Sequence, residues 1–158
     1  MPRIHPFLWF DNQAEEAANF YVSAFPRSRV LDVLRYGDAG PGPAGSVMTV
    51  RFSLDGNEVV ALNGGPAHYG FNLGVSLVVE CKTPEEVDHY WSALSEGGEE
   101  GVCGWLADRF GLSWQIVPEG LVALLQDADP DRARRAAEAM LGMKKLDLAA
   151  MEAAAGAR

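Results

Sequence analysis

The chain has 158 residues, of which 48% are hydrophobic and 22% charged, proportions typical of an ordinary globular protein. Its formal net charge of -9 argues against nucleic acid as a partner, because phosphate binding needs clustered Lys and Arg. No apolar run is long enough to cross a bilayer and no signal peptide is recognisable, so we expect a cytoplasmic protein without a membrane partner. The length favours a single domain.

The first half of the chain predicts a strand, a helix and three further strands. A helix should begin at a cap formed by Asp11 or Asn12 and end at Pro26. Asp55-Gly56 is a typical two-residue hairpin turn. The strands are expected on either side of these signals, over residues 4–10, 29–36, 47–54 and 58–62.

A Gly- and Pro-rich segment over residues 37–45 connects the second and third of these strands. It is not a phosphate-binding loop, because no helix follows it and its prolines lack N–H donors. We interpret it as a flexible or polyproline-like connector, with closure over a cleft as a further hypothesis.

The second half predicts a similar order of a strand, a helix and a hairpin. A strand is expected over residues 73–79, and a helix follows with Thr83 as its cap. The stretch from Cys103 to Pro118 indicates two strands joined by a tight turn, with Trp114 and Gln115 on opposite faces. The acidic and aromatic positions of the two predicted helices lie 70 residues apart, at Glu15-Glu16 and Glu85-Glu86 and at Phe20-Tyr21 and Tyr90-Trp91. This spacing predicts an internal duplication.

The C-terminal part predicts helices. One helix should begin at Asp129 and stop at Gly142, and its expected buried stripe consists of Ala133, Ala137, Met140 and Leu141. The Ala- and Met-rich run over residues 146–155 cannot bury its apolar side alone, so we expect it to dock on the sheet or on another subunit.

Two cysteines, Cys81 and Cys103, lack the spacing of a metal site and are expected to remain thiols. Cys81 follows an apolar run and is interpreted as a small core residue.

Five segments together closely resemble the PhnB-like group of the vicinal oxygen chelate superfamily, which is often labelled 3-demethylubiquinone-9 3-methyltransferase. They are PFLWFDNQAEEAANFYVSAFP, GPGPAGSVMTV, ALNGGP, PEEVDHYWSAL and CGWLADRFGLSWQIVP. The resemblance implies an α+β fold in one glyoxalase-like domain, usually found as a homodimer. Two βαβββ modules, over about residues 3–65 and 71–120, would curl their sheets around a pocket, and a helical tail would cover about residues 121–158.

Active members of that superfamily chelate a divalent metal with His and Glu side chains. The resemblance places His5 at one ligand position, Ala61 and Gln115 at the Glu positions, and Leu73 or Gly74 at the second His position. His68 lies in the preceding loop. Since Ala binds no metal and Gln is a poor ligand, we predict no complete metal site and no cofactor, with weak binding through His5 as the alternative.

The label of methyltransferase finds no support in the residues, because the Gly-rich turn that generally holds a methyl donor between a strand and a helix is missing. We predict instead that the chain binds a small apolar or aromatic molecule without turning it over. A metal-dependent glyoxalase-like lyase, isomerase or dioxygenase is the alternative, and an interaction role for the tail is a third hypothesis. No catalytic residue is assigned. The expected pocket residues are His5, Trp9, Asn63, His68, Phe71, Trp105 and Gln115.

For several of these residues a purely structural role competes with the pocket role. The aromatic side chains fit a packed core equally well, and Asn63 before two glycines fits a turn. His5 and His68 fit exposed positions on a terminal strand and a loop.

Overall fold

A computed structural model describes residues 2–156. The chain divides into two compact units, one ending at Gly70 and the other beginning at Phe71. Each unit contains its own four-stranded sheet. In the described residues, no helix is both long and apolar enough to span a membrane.

The first unit is a βαβββ module. Its sheet has the order β1-β4-β3-β2, in which β1 runs parallel to β4 and the other neighbours are antiparallel. The hairpin turn predicted at Asp55-Gly56 is present, since both residues have positive φ angles between β3 and β4. The elements are β1 (Phe7–Phe10), α1 (Ala14–Ala24), β2 (Arg29–Arg35), β3 (Val47–Leu54) and β4 (Asn57–Asn63).

The second unit repeats this topology. Its sheet has the order β5-β8-β7-β6, again with the first and last strands of the module parallel. The paired βαβββ modules that the family resemblance implies are therefore confirmed, and both sheets remain open. The short strand Glu99–Glu100 was not predicted from the residues of the second half. The elements are β5 (Ser76–Cys81), α2 (Pro84–Ser95), β6 (Glu99–Glu100), β7 (Trp105–Ala107) and β8 (Ser113–Pro118).

Each helix packs one face on its own sheet, as the helical spacing predicts. In the first unit, the ring of Tyr21 stacks on Phe52 with the ring centres 6.1 Å apart, and both residues are fully buried. In the second unit, Trp91 and Leu94 of α2 are buried, as are Trp114 and Ile116 of the last strand.

The cap of α2 was predicted correctly, whereas the cap of α1 was not. Thr83 accepts a hydrogen bond from the Glu86 amide at 3.3 Å. Helix α1 has Gln13 at its N-cap and no cap bond from that side chain. The Ala14 amide instead donates to Asn63 Oδ1 at 2.8 Å, so the cap comes from the end of β4, 49 residues away.

The apolar pattern predicts that the first strand of the second unit begins at residue 73, but β5 begins at Ser76. The preceding residues form a turn in which the Gly74 amide donates to Asn72 Oδ1 at 2.7 Å. A side chain that satisfies a local amide favours a turn over a continuing strand.

The tail forms α3 (Leu121–Leu125), α4 (Pro130–Leu141) and α5 (Leu148–Ala155). Gly142 caps α4 as expected, but the predicted buried stripe is correct only in part, since Met140 packs against the core of the tail and Leu141 does not. Leu141 is 68% exposed, whereas Ala136 is fully buried. The reason is that α4 packs against its neighbouring helices α3 and α5, which selects a different face of the helix.

Helix α5 docks within its own chain. Its Met151 and Ala155 are fully buried in a cluster with residues of α3 and α4. Arg135 adds a polar contact, since its Nε and Nη2 donate to the carbonyl oxygen of Ala155 at 3.0 and 2.6 Å. These two bonds satisfy the C-terminal end of α5.

Candidate functional site

The first sheet has a face that α1 does not cover. The stacked pair Tyr21–Phe52 identifies the face of the sheet that packs on α1. Because side chains alternate along a strand, every second side chain lies on the opposite face. On that side Phe7, Trp9 and Leu34 are 57%, 51% and 50% exposed. We call this the open face, and its register positions are Phe7, Trp9, Asp32, Leu34, Thr49, Arg51, Val60 and Leu62.

The indole of Trp9 is held in place from one side by the Asn63-Gly64-Gly65 segment. Trp9 Nε1 donates to the carbonyl oxygen of Gly65 at 3.0 Å. A Cβ atom at Gly64 would lie well under 3.0 Å from the carbons of the indole, so the backbone packs directly on the ring. One polar bond and one close packing contact together fix the orientation of an exposed aromatic ring.

Asn63 links three elements of the first unit. Its Oδ1 accepts from the Ala14 amide of α1, and its Nδ2 donates to the carbonyl oxygen of Val47 on β3 at 3.1 Å. The hydroxyl of Tyr36 donates to the backbone carbonyl of Asn63 at 2.6 Å. The side chain predicted as a pocket residue therefore positions the segment that carries Gly64 and Gly65.

A cleft of about 500 Å³ lies beside this segment, at the start of α1. Asn63, predicted to line a pocket, is part of its wall, whereas Trp9 is not. The lining is mixed and includes two carboxylates: Asp11, Asn12, Glu15, Tyr36, Pro41, Gly42, Pro43, Ser46, Val47, Asn63, Gly64 and Gly65.

The Gly- and Pro-rich connector forms one wall of that cleft and is held by hydrogen bonds at its base. The Tyr36 amide donates to the Ser46 carbonyl at 2.9 Å, and the Gly45 amide donates to the Tyr36 carbonyl at 2.8 Å. The backbone at Gly40 and Gly42 lies against the Tyr36 ring, where a Cβ would come within 3.0 Å. The connector thus packs on a buried tyrosine.

The second sheet also has a face that α2 does not cover. Gln115 and Val78 are register partners on that face, and Trp105 pairs with Gln115 from β7. Trp114 and Ile116 are buried on the other face, as predicted. Gln115 Nε2 donates to Ser76 Oγ at 2.9 Å, which ties the side chain to the neighbouring strand.

The remaining predicted pocket residues are spread over loops and termini of the two units. His5 precedes β1 and is exposed, and His68 is exposed in the loop at the end of the first unit. Phe71 is half-buried at the start of the second unit. Trp105 and Gln115 lie side by side on one face of the second sheet. Trp9 and Asn63 both belong to the first unit, but the side chain of Asn63 points toward α1 and that of Trp9 lies on the open face.

The residues present do not fit a chelated divalent metal. Ala61 is fully buried and lies in register with Leu8 and Val50, which places it on the α1 side of the sheet. Gln115 offers a metal only a neutral amide oxygen, which is a weaker ligand for a divalent cation than the carboxylate of Glu. Among the described residues, no group of three or more His, Cys, Asp and Glu side chains is arranged to hold a metal ion.

Asp108, a carboxylate that is only 3% exposed, is a structural residue that was not predicted from the sequence. Its Oδ1 accepts from the amides of Phe110 and Leu112 at 2.8 and 3.1 Å, and its Oδ2 accepts from Trp114 Nε1 at 2.9 Å. Asp108 therefore fixes the turn between β7 and β8. An Asp at the first position of a tight turn is the sequence signal that indicates this role.

Cys81 is the buried cysteine, with 1% exposure. Burial raises the pKa of its thiol from 9.0 to about 11, and the nearby carboxylate of Glu86 adds to the shift. A thiol with so high a pKa stays protonated at neutral pH and is a poor nucleophile.

Comparison with known proteins places this geometry in a family. A PhnB protein from Bacillus cereus is 34% identical, with 74% of this chain and 99% of that chain covered and a TM-score of 0.68. A protein from Pseudomonas aeruginosa is 25% identical, with 75% and 98% covered and a TM-score of 0.64.

More distant structures share the fold alone. The fosfomycin resistance protein FosX from Listeria monocytogenes is 13% identical, with 80% and 98% covered and a TM-score of 0.55. No curated protein matches the sequence. The family model described as 3-demethylubiquinone-9 3-methyltransferase matches residues 2–117, and the tail lies beyond that match. The chain therefore belongs to this PhnB-like family, described as 3-demethylubiquinone-9 3-methyltransferase.

Proposed function

We propose that the chain binds a small aromatic or apolar molecule against the open face of the first sheet. The observation that carries this proposal is the exposed indole of Trp9, held by Gly64 and Gly65 and flanked on the same face by Phe7. An aromatic ring with a fixed orientation provides contact area without a large loss of side-chain entropy on binding.

The apolar positions beside Trp9 support the same ligand chemistry. Leu62 is the register partner of Trp9, and Leu34 lies across β3 on the edge strand β2. Together these side chains form an apolar strip with one polar member, Thr49. We favour ligand binding over a metal-dependent reaction, because the residues at the chelating positions do not fit a divalent cation.

The experiment is a fluorescence titration with N-phenyl-1-naphthylamine, a neutral aromatic probe. Trp9→Ala is expected to weaken binding about tenfold, the order of one aromatic stacking contact with its buried area. Leu141→Ala, which removes an exposed apolar side chain from α4, is the control and should bind as the parent does. Absence of binding, or equal binding by Trp9→Ala, would contradict the proposal.

The homodimer and the cytoplasmic location expected from the sequence stay predictions. Molar mass measured in solution tests the first. The same measurement on a chain ending at Gly142 tests the hypothesis that the tail serves assembly.

A further inference from the structure

The open face carries a cation next to its aromatic positions. Arg51 lies on β3, and its side chain points away from the buried Val50 and Phe52 on either side. Val60 of β4 is the register partner of both Arg51 on β3 and Phe7 on β1, so it lies between them in the sheet. The three residues form one row across the sheet, and Trp9 lies in the adjacent row.

Contacts within the protein satisfy only part of the hydrogen-bonding capacity of the Arg51 guanidinium. It contacts Glu58 with 3.6 Å between Nη1 and Oε1, and 45% of the side chain is exposed. Glu58 is shared, since its Oε2 also lies 3.8 Å from Arg3 Nη1. A guanidinium has five N–H donors, so a single loose ion pair leaves most of them for another acceptor.

We propose that the open face selects small aromatic molecules that carry an acidic group, with Arg51 as the residue that binds the acid. This inference rests on the proposed function, because it assigns a ligand class to the same face. Arginine suits the role, since its planar fork binds carboxylate, sulfonate or phosphonate oxygens in pairs.

The dimensions of the sheet set the size of this ligand. Neighbouring strands lie about 4.8 Å apart, so Phe7 and Arg51, two strands apart, are separated by about 10 Å at their backbones. The long side chain of Arg51 shortens the distance that a ligand must bridge. A two-ring aromatic body with its acidic group attached directly, or through one or two atoms, fits this span.

The neighbouring carboxylates limit how strongly an acid binds. Glu58 competes for the guanidinium, and Asp32 lies beside Arg51 in register on β2. Like charges repel the ligand's acid, so removing the Glu58 charge should tighten its binding. A neutral ligand on Trp9 should be insensitive to the same change.

The test uses two probes that share the phenylnaphthylamine body, 1-anilinonaphthalene-8-sulfonate and neutral N-phenyl-1-naphthylamine. Arg51→Gln is expected to weaken the sulfonate about tenfold and to leave the neutral probe unchanged. Glu58→Gln should tighten the sulfonate a few fold. Arg27→Gln removes the same charge from a residue paired with Asp55 near the β3–β4 hairpin and should change neither affinity.

The outcomes separate the two proposals. If neither probe binds the parent chain, the proposed function fails and the ligand class with it. If both bind and Arg51→Gln alters neither, or Arg27→Gln weakens the sulfonate equally, the role of Arg51 is overturned while binding stands. Should Arg51→Gln fail to fold by circular dichroism, Arg51→Lys is used, and it should weaken only the sulfonate, because the paired contact is lost.

Discussion

The indole Nε1 of Trp9 donates its hydrogen bond to the carbonyl oxygen of Gly65, at 3.0 Å, while the backbone of Gly64 packs on the indole carbons. The bond joins the end of β1 to the segment after β4, two strands that run parallel side by side. An exposed ring is thereby held by the backbone of the neighbouring strand. The orientation of the Trp9 ring at the proposed binding face therefore depends on the absence of a side chain at Gly64.

We predict that Gly64→Ala displaces the indole of Trp9. The new methyl group would lie well under 3.0 Å from the ring carbons, a distance that Cβ atoms do not tolerate. Overpacking of this kind costs about 1 to 3 kcal/mol unless the ring moves away. We expect a shift of tryptophan emission together with at least fivefold weaker binding of N-phenyl-1-naphthylamine, measured by fluorescence.

The matched control for that substitution is Gly70→Ala. Its Cβ meets no atom within 4 Å, and neither glycine has a positive φ angle, so the two variants differ in the contact alone. Gly70→Ala should keep the emission and affinity of the parent chain. Unchanged binding by Gly64→Ala would show that the orientation of the indole is irrelevant to the ligand.

We predict that Asn63→Ala destabilises the first unit more than an ordinary surface change. The variant loses the α1 cap at Ala14 and the bond to Val47, which together are worth about 1 to 3 kcal/mol. Asn63→Asp keeps an acceptor for the Ala14 amide but loses the donor to Val47, so it should fall between parent and Asn63→Ala. Urea unfolding measures the free energies.

The control for this series is Asn57→Ala, since Asn57 Nδ2 donates to the Leu54 carbonyl at a weaker 3.3 Å. Its loss should cost less than the loss of Asn63. Equal destabilisation by both alanine variants, or a stability of Asn63→Asp no greater than that of Asn63→Ala, would contradict the assigned role of Asn63.

The features of the fold that the sequence predicted depend on local patterns. The spacing of Tyr21 and Trp91 on their helices, the Asp55-Gly56 turn and the Thr83 cap are all short-range signals, and each is present. The internal duplication was also visible, because both copies keep the acidic first turn and the buried aromatic. Strand pairing adds that β1 and β5 run parallel to the last strands of their modules.

The features that the sequence did not predict depend on contacts between distant segments. Asn63 caps a helix that begins 49 residues earlier, so no local pattern reveals it. The prediction that Leu141 is buried was wrong because α3 and α5, and not the pattern of α4 itself, decide which side of α4 is covered. The pocket residues could not be predicted for the same reason. Alternation along a strand shows which face a side chain occupies, but it does not show which segment of the chain lies opposite that face.

The stability of the folded chain should depend on pH through the buried thiol of Cys81. Burial first, and the Glu86 carboxylate second, raise the pKa of this thiol to about 11 in the folded chain, from an ordinary 9.0 that the unfolded chain regains. Between pH 9 and pH 11 the unfolded thiol releases its proton while the folded thiol keeps it. Unfolding is therefore favoured as the pH rises through this window, and the contribution of Cys81 to stability is complete only below pH 9.

The loss should be on the order of 2 kcal/mol between pH 9 and pH 11, measured as the free energy of urea unfolding. Other groups titrate in the same range, so the quantity to compare is the difference between the parent chain and Cys81→Ala. The free energy of unfolding of Cys81→Ala should decline less steeply with pH, because this variant has no thiol proton to release. Cys103→Ala retains the Cys81 thiol and controls for the loss of a cysteine. Parallel declines in the parent and in Cys81→Ala would show that burial does not hold the proton on Cys81.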